Sequence, residues 1–524
     1  YLGMQADPIR LRMRICRIDR RIEQLYYDIL VPYEACQLMS ENSDEYIAMM
    51  GVLEQTANQI DMREIFSGAY YRSIEAAERL IQTELYEKLC SKQGKPVVNF
   101  IGHTHIDMEW LWTRAQTREK IQRSFSTAAS LMKRYPEFKF MLSQPELYQY
   151  LKEEAPEKYA ELKKLMADGR WEPEGAMWLE PDCNLSSGES FVRQLIHGMR
   201  FFKEEFGSTC KVLFLPDVFG YSAALPQILK KAGIDYFVTS KISWNETNKL
   251  PVDEFLWQGI DGTEIFTTFL TAQDYEGPEA ANYTLYVGNI NSSMLKGAWN
   301  RFQQKEYSDR VMVTFGYGDG GGGPTKQMLE QFRRLEKGLP GLPVAEMGFM
   351  TPHLEQRKQL FDAGCKRTQR TPKWVGELYL EFHRGTYTSI AKNKRNNRKS
   401  ELMLQKAEVL SYTDLLHSGS YDVDGIYGTW KKVLHNQFHD ILPGSSIFEV
   451  YEGTDRDYAE IRTFCENTVQ DKLHMLASRV AADNGVLVYN PLGFARRVML
   501  RLNGKTVELP DEIPAFGWKV ISDV

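Results

Sequence analysis

Six short apolar runs recur between residues 97 and 315, at 97–101, 138–142, 212–215, 236–239, 265–270 and 311–315. Amphipathic stretches such as 120–135 and 188–206 separate them. This alternation commits the chain to an α/β fold, because parallel strands need a crossover, usually a helix, between them. A parallel-stranded (β/α) barrel-like domain or an open parallel sheet satisfies it. Three of the runs lead into polar clusters. The first enters Gly102-His103-Thr104-His105-Ile106-Asp107, the third Pro216-Asp217-Val218-Phe219-Gly220-Tyr221, and the last Gly316-Tyr317-Gly318-Asp319-Gly320. The carboxyl ends of parallel strands gather on one face, where active sites form. Three clusters distant in sequence are therefore expected to meet in space.

The flanks read differently. Leu11, Ile15, Ile18, Ile22, Leu25 and Ile29 follow a three-four spacing that predicts an amphipathic helix over 9–30. Helical patterns continue to about residue 92, where Gly94 and Pro96 break them, giving an N-terminal helical domain over 1–95. Beyond about residue 390 the strands stop. A basic run at 392–399 opens a long helical pattern and reads as a solvated face. After Asn484 short alternating strands begin, at 486–489 and 498–502, with Asn490-Pro491-Leu492-Gly493 as a turn.

A chain of 524 residues exceeds what one core usually holds, so several domains are expected. The net charge of −6 argues against a nucleic-acid partner. No run of about eighteen apolar residues appears, so no membrane span is expected. Residues 1–4 show no charged region leading into an apolar one, and no secretory signal is read there. Seven scattered cysteines without a C-x-x-C pair suit reduced thiols and a cytoplasmic protein.

His105 and Asp107 are two apart on a segment leaving a strand, so both side chains can point the same way. Imidazole and carboxylate together suit Zn²⁺. His435 and His439, four apart in a stretch that reads as helical, supply a second pair; Asn436 follows His435, so this is not H-E-x-x-H. The glycines of 318–323 lack the ordered G-K-[ST] ending of a phosphate loop, and Pro324 would remove a backbone donor. They read as a flexible turn, or as a means for Asp319 to approach a substrate.

Six segments, in order, carry a resemblance: 102–112 (GHTHIDMEWLW), 214–225 (FLPDVFGYSAAL), 241–245 (KISWN), 315–325 (FGYGDGGGGPT), 376–388 (GELYLEFHRGTYT) and 435–446 (HNQFHDILPGSS). Together they resemble glycoside hydrolase family 38, and within it the cytosolic and vacuolar-type α-mannosidases. The resemblance implies a zinc-dependent catalytic domain over 96–375, a three-helix bundle over 376–480 and the start of a β-sandwich over 481–524. It implies one Zn²⁺ per chain, replaceable by Co²⁺, on His105, Asp107, Asp217 and His439. Asp217 would be the nucleophile and Asp319 the general acid/base. Trp110 matches an aromatic beneath the sugar, Asp440 a carboxylate that grips its hydroxyls, and His103 a motif residue without a direct ligand role. Golgi and lysosomal members carry the acid/base in a glycine-poor segment, and for polar residues they use after the next strand only Gln273 and Asp274 are candidates. The implied substrate is a mannose-containing oligosaccharide, cleaved at its terminal non-reducing α-mannose; a homo-oligomer, a dimer, is expected.

A retaining glycosidase needs two carboxyl groups about 5–5.5 Å apart across the glycosidic bond. The resemblance assigns these two roles to Asp217 and Asp319. Two other classes compete with this reading. A water-activating metal amidohydrolase or deacetylase would use an H-x-H such as His103-Thr104-His105, but needs no carboxylate nucleophile. A non-catalytic mannose-binding protein would need neither Asp217 nor Asp319.

Overall fold

The computed structural model describes residues 13, 15–278, 283–480, 485–502, 504–509 and 511–522. Residues 1–12, 14, 481–484, 503, 510, 523 and 524, over which parts of the readings above run, lie outside the described residues. The chain forms two compact units.

The first runs to Val97 and adds Ile290–Lys296 and Lys326–Glu346. Its helices are α1 (Arg20–Cys36), α2 (Asp44–Gln59) and α3 (Gly68–Ile81). Each begins at a capping side chain: Asp19 accepts from the Arg21 amide, Ser43 from Tyr46, and Ser67 from Tyr70. The helix thus starts at Arg20, and the described residues 15–19, which the spacing includes in it, are not helical. Ile15 and Ile18, which the spacing enrolled in the helix, are exposed and lie before the Asp19 cap. Leu25, Val31, Met49, Leu53, Ile74 and Ile81 form the buried faces. Arg334, on the helix Lys326–Leu335, pairs with Asp28 at 2.8 Å and Glu330 at 2.7 Å, so this buried cation meets two carboxylates.

From residue 97 onward the strands are β1 (Val97–Gly102), β2 (Phe140–Leu142), β3 (Trp171–Pro173), β4 (Val212–Phe214), β5 (Tyr236–Thr239), β6 (Glu254–Gln258), β7 (Glu264–Phe269), β8 (Arg310–Phe315), β9 (Val344–Met347) and β10 (Lys373–Val375). Helices α4 (Arg114–Arg134), α5 (Pro145–Glu154), α6 (Pro156–Ala167), α7 (Gly188–Phe206), α8 (Leu225–Lys231), α9 (Ser292–Arg301), α10 (Lys326–Leu335) and α11 (Met350–Thr368) alternate with them.

All six apolar runs are strands. In the second unit they hydrogen-bond as two sheets, one following the path β3-β2-β1-β8 and the other β10-β6-β7-β5-β4. The pairs β1–β2, β2–β3, β4–β5 and β5–β7 are parallel, while β6–β7 is an antiparallel hairpin. Single bridges, Gly175–Leu213 and Gly288–Phe315, stand where one continuous barrel ladder would have run. Ile101, Met141, Val212, Phe214, Val238, Leu270 and Met312 form one buried cluster, so strands of both sheets share a core.

Three further helices follow, α12 (Ala391–Leu416), α13 (Val423–His435) and α14 (Phe448–Arg479), and pack pairwise on one another. Lys392, Arg395, Arg398 and Lys399 of the basic run are exposed on α12. The remaining strands, β11 (Gly485–Tyr489), β12 (Met499–Leu502), β13 (Lys505–Glu508) and β14 (Trp518–Ser522), form two antiparallel pairs, β11–β14 and β12–β13. No helix among the described residues is long and apolar enough to cross a membrane.

Candidate metal and catalytic site

β1 ends at Gly102, where a Cβ would lie 2.4 Å from the Lys139 carbonyl oxygen; only glycine lets the strand pass so close. The chain beyond alternates inward and outward. His103 turns away: its Nδ1 faces the Met141 carbonyl at 3.1 Å, and burial pulls its pKa down to about 3. His105 and Asp107 point together, with Nε2 and Oδ1 2.9 Å apart.

The glycine-rich turn after β8 lies alongside. The Asp107 amide donates to the Asp319 carbonyl at 2.9 Å, and the Gly321 amide to the His105 carbonyl at 3.2 Å. Gly316 sits at φ +133°, where a Cβ would come within 2.1 Å of the His103 carbonyl oxygen, and a Cβ on Gly318 would strike Val287. Close backbone approach therefore explains these glycines better than a phosphate cradle. The approach places the half-buried Asp319 beside Asp107, the two joined through their backbones. Tyr286 donates its hydroxyl to Asp319 Oδ1 at 2.9 Å.

Asp217 follows β4. Its Oδ2 lies 3.8 Å from His105 Nε2 and 3.6 Å from His439 Nε2. His439 is not on a helix with His435: α13 stops at His435, and turns carry the chain to His439. His439 Nε2 is 3.3 Å from Asp107 Oδ1. His435 instead lies between Glu146 and Glu109, each at 3.1 Å. Of the two histidines, His439 alone joins the cluster.

His105, Asp107, Asp217 and His439 each offer one donor atom, all within 4.8 Å of one another, and all four side chains are buried. Donors around a tetrahedral ion at about 2.0–2.1 Å stand about 3.4 Å apart. Four of the separations between them, 2.9 to 3.8 Å, bracket that spacing. His439 Nε2 is buried without a hydrogen-bond partner, an expensive arrangement unless a cation takes the lone pair. The group can hold a metal ion, and two nitrogens with two carboxylate oxygens suit zinc's preferences.

Electrostatics favour an ionised Asp217. Burial opposes its charge, but the Lys241 ammonium in contact with Oδ1 and the two imidazoles outweigh that, holding the carboxyl well below the usual range. Asp440 stands at the cluster's edge, Oδ2 3.9 Å from His439 Nε2, and Ser445 donates to its Oδ1 at 2.5 Å. Burial, with help from Asp107, raises its pKa to about 7. Trp110, half-buried, packs edge-on against Trp112 on the turn after Asp107. Gln273 is buried and Asp274 exposed beyond β7, and neither is among the cluster's donors.

Four neighbours went unassigned in the sequence. Lys241 was visible only as part of the 241–245 segment. Tyr286 and Glu180 had no local signal. His383, whose ring lies 4.7 Å from Phe219, stood in the 376–388 segment without a role.

The family model "Glycosyl hydrolases family 38 N-terminal domain" matches residues 95–377, over half of the sequence. The chain belongs to glycoside hydrolase family 38. A second model, the α-mannosidase middle domain, matches 381–476 of this family 38 chain. α-Mannosidase G of Dictyostelium discoideum is 37% identical over 468 residues, covering 89% of this chain and 41% of that protein. α-Mannosidase 2C1 of Homo sapiens is 36% identical over 412 residues, 78% of this chain and 38% of that one. The chain thus spans about two-fifths of the length of these curated relatives. An α-mannosidase structure from Enterococcus faecalis V583 shares the fold, with a TM-score of 0.64 at 18% identity over 78% of this chain and 46% of that one.

Proposed function

We propose that this chain is the catalytic portion of a zinc-dependent, retaining, exo-acting α-mannosidase, releasing terminal non-reducing α-D-mannose from oligosaccharides. The observation that carries the proposal is the double membership of Asp217. It is at once a donor of the buried four-residue group and the carboxylate that Lys241 keeps ionised at the mouth of β4. The boundaries 1–95, 96–375, 376–480 and 481–524 remain our division of the chain into helical, catalytic, three-helix and β portions.

Asp217 attacks the anomeric carbon, and the bond from that carbon to the leaving oxygen breaks. Asp319 gives its proton to that oxygen, forming the free alcohol and a mannosyl ester on Asp217. Asp319 then removes a proton from water, whose oxygen attacks the same carbon and frees mannose and the Asp217 carboxylate. Tyr286 fixes the orientation of Asp319 through its hydroxyl. Asp440, buried beside His439, offers a carboxyl to sugar hydroxyls, and Trp110 an apolar face. Zinc, held by His105, Asp107, Asp217 and His439, would supply a Lewis-acid contact that orients two sugar hydroxyls. His103 directs its Nδ1 at the Met141 carbonyl and is not among the cluster's donors, which disfavours a water-activating amidohydrolase.

A slowly turned-over fluorinated mannosyl donor tests the nucleophile. Proteolysis and mass measurement should find the sugar on the peptide containing Asp217, and none in Asp217→Asn. Label on another carboxylate would overturn the assignment.

A further inference from the structure

Both histidines of the buried group meet the same residue from behind. His439 directs Nδ1 at the backbone carbonyl of Glu180, 3.0 Å away, and its own amide donates to that carbonyl at 3.2 Å. His105 directs Nδ1 at the Glu180 carboxylate, 3.5 Å from Oε2. Ser143 Oγ donates to the other oxygen, Oε1, at 3.2 Å. Glu180 is 1% exposed, and neither its Oε2 nor His105 Nδ1 has another hydrogen-bond partner. A buried carboxylate oxygen facing a buried ring nitrogen, each without an alternative, is costly unless the two serve each other.

A neutral imidazole carries one proton. An acceptor at Nδ1 draws the proton there and leaves the Nε2 lone pair for a cation. In both rings Nε2 points at Asp107 and Asp217 while Nδ1 points at Glu180. We infer that Glu180 is the positioning residue of the metal centre. Its backbone carbonyl sets the tautomer and ring angle of His439, and its carboxylate does the same for His105. Outer partners of this kind orient ligating histidines and raise their basicity. The inference rests on the reading of the buried group as a zinc site. Glu180 lies in the irregular segment between β3 and α7, so a single backbone placement serves both rings.

The test compares the metal-stripped full chain with Glu180→Gln, Glu180→Asp and His105→Ala. Zinc affinity is read by competition with a chromogenic chelator, and geometry from the visible bands of the Co²⁺ form. Glu180→Gln should melt like the parent without metal, yet bind zinc about 10–100-fold more weakly, with displaced Co²⁺ bands. Glu180→Asp keeps the charge but withdraws it by one methylene, so it should also lose affinity; it serves if the glutamine variant folds poorly. Parental affinity and an unchanged Co²⁺ spectrum in both Glu180 variants, with metal lost in His105→Ala, would overturn the role of Glu180 alone. Failure of the parent chain to bind zinc would overturn the metal reading and this inference together.

Discussion

Replacing His435 with glutamine should cost far more stability at pH 6 than at pH 9.5. The ring is buried, its Nδ1 3.1 Å from Glu146 and its Nε2 3.1 Å from Glu109. Burial and the nearby Arg114 guanidinium press its pKa down, but the two carboxylates outweigh them and lift it to about 9. The folded value exceeds the unfolded one, so the stabilisation is complete below about pH 6.5 and disappears as pH climbs through about 9. A rise from 6.5 to about 9 corresponds to about 3 kcal/mol. Glutamine carries no charge at either pH. Denaturant unfolding of both proteins, with chelator present so that metal binding does not enter, should therefore show a gap that narrows by about 3 kcal/mol between pH 6 and pH 9.5. A gap that changes by less than about 1 kcal/mol, near the error of the extrapolation, would refute the buried imidazolium.

Asp319→Ala should depress hydrolysis of an alkyl mannoside more than that of a mannoside with an activated aryl leaving group, which needs no proton; equal losses would mean that Asp319 is not the acid. Gly316→Ala forces a methyl group toward the His103 carbonyl at a backbone angle side chains rarely adopt, and should destabilise the protein by at least about 2 kcal/mol in a melting assay. An unchanged melting temperature would contradict the close packing of the glycine turn on β1.

The periodic parts of the fold were legible because burial on both sides of a strand leaves a continuous apolar run. All six runs are strands, and α7 occupies the whole of the 188–206 stretch. What escaped were short or mixed strands: β3 is Trp171-Glu172-Pro173, and β6 opens on a buried glutamate. Glu254 is hidden there because Arg357 approaches it to 3.2 Å, a partnership that sequence spacing does not announce. The 9–30 helix was over-extended because a three-four spacing registers apolar residues whether or not anything covers them; Ile15 and Ile18 are uncovered, and Asp19 caps the helix behind them.

At the site, donors next to strand ends were readable since the strand fixes where they emerge. His439 was harder, as it stands on turns after α13 and shares its neighbourhood with His435, which serves a different pair of carboxylates. Tyr286, Lys241 and Glu180 act through approaches across 24 to 75 residues of chain, to Asp319, Asp217 and His105 respectively. No local pattern marks Tyr286 or Glu180, and the 241–245 segment gives Lys241 no role.

Release of nitrophenol from a chromogenic α-mannoside by the longest product of this gene, before and after chelation and zinc re-addition, tests the central claim most directly. The account predicts activity that disappears with the chelator, returns with zinc, and is absent from Asp217→Asn under every condition. Full zinc occupancy without α-mannoside hydrolysis, or undiminished hydrolysis by Asp217→Asn, would contradict it.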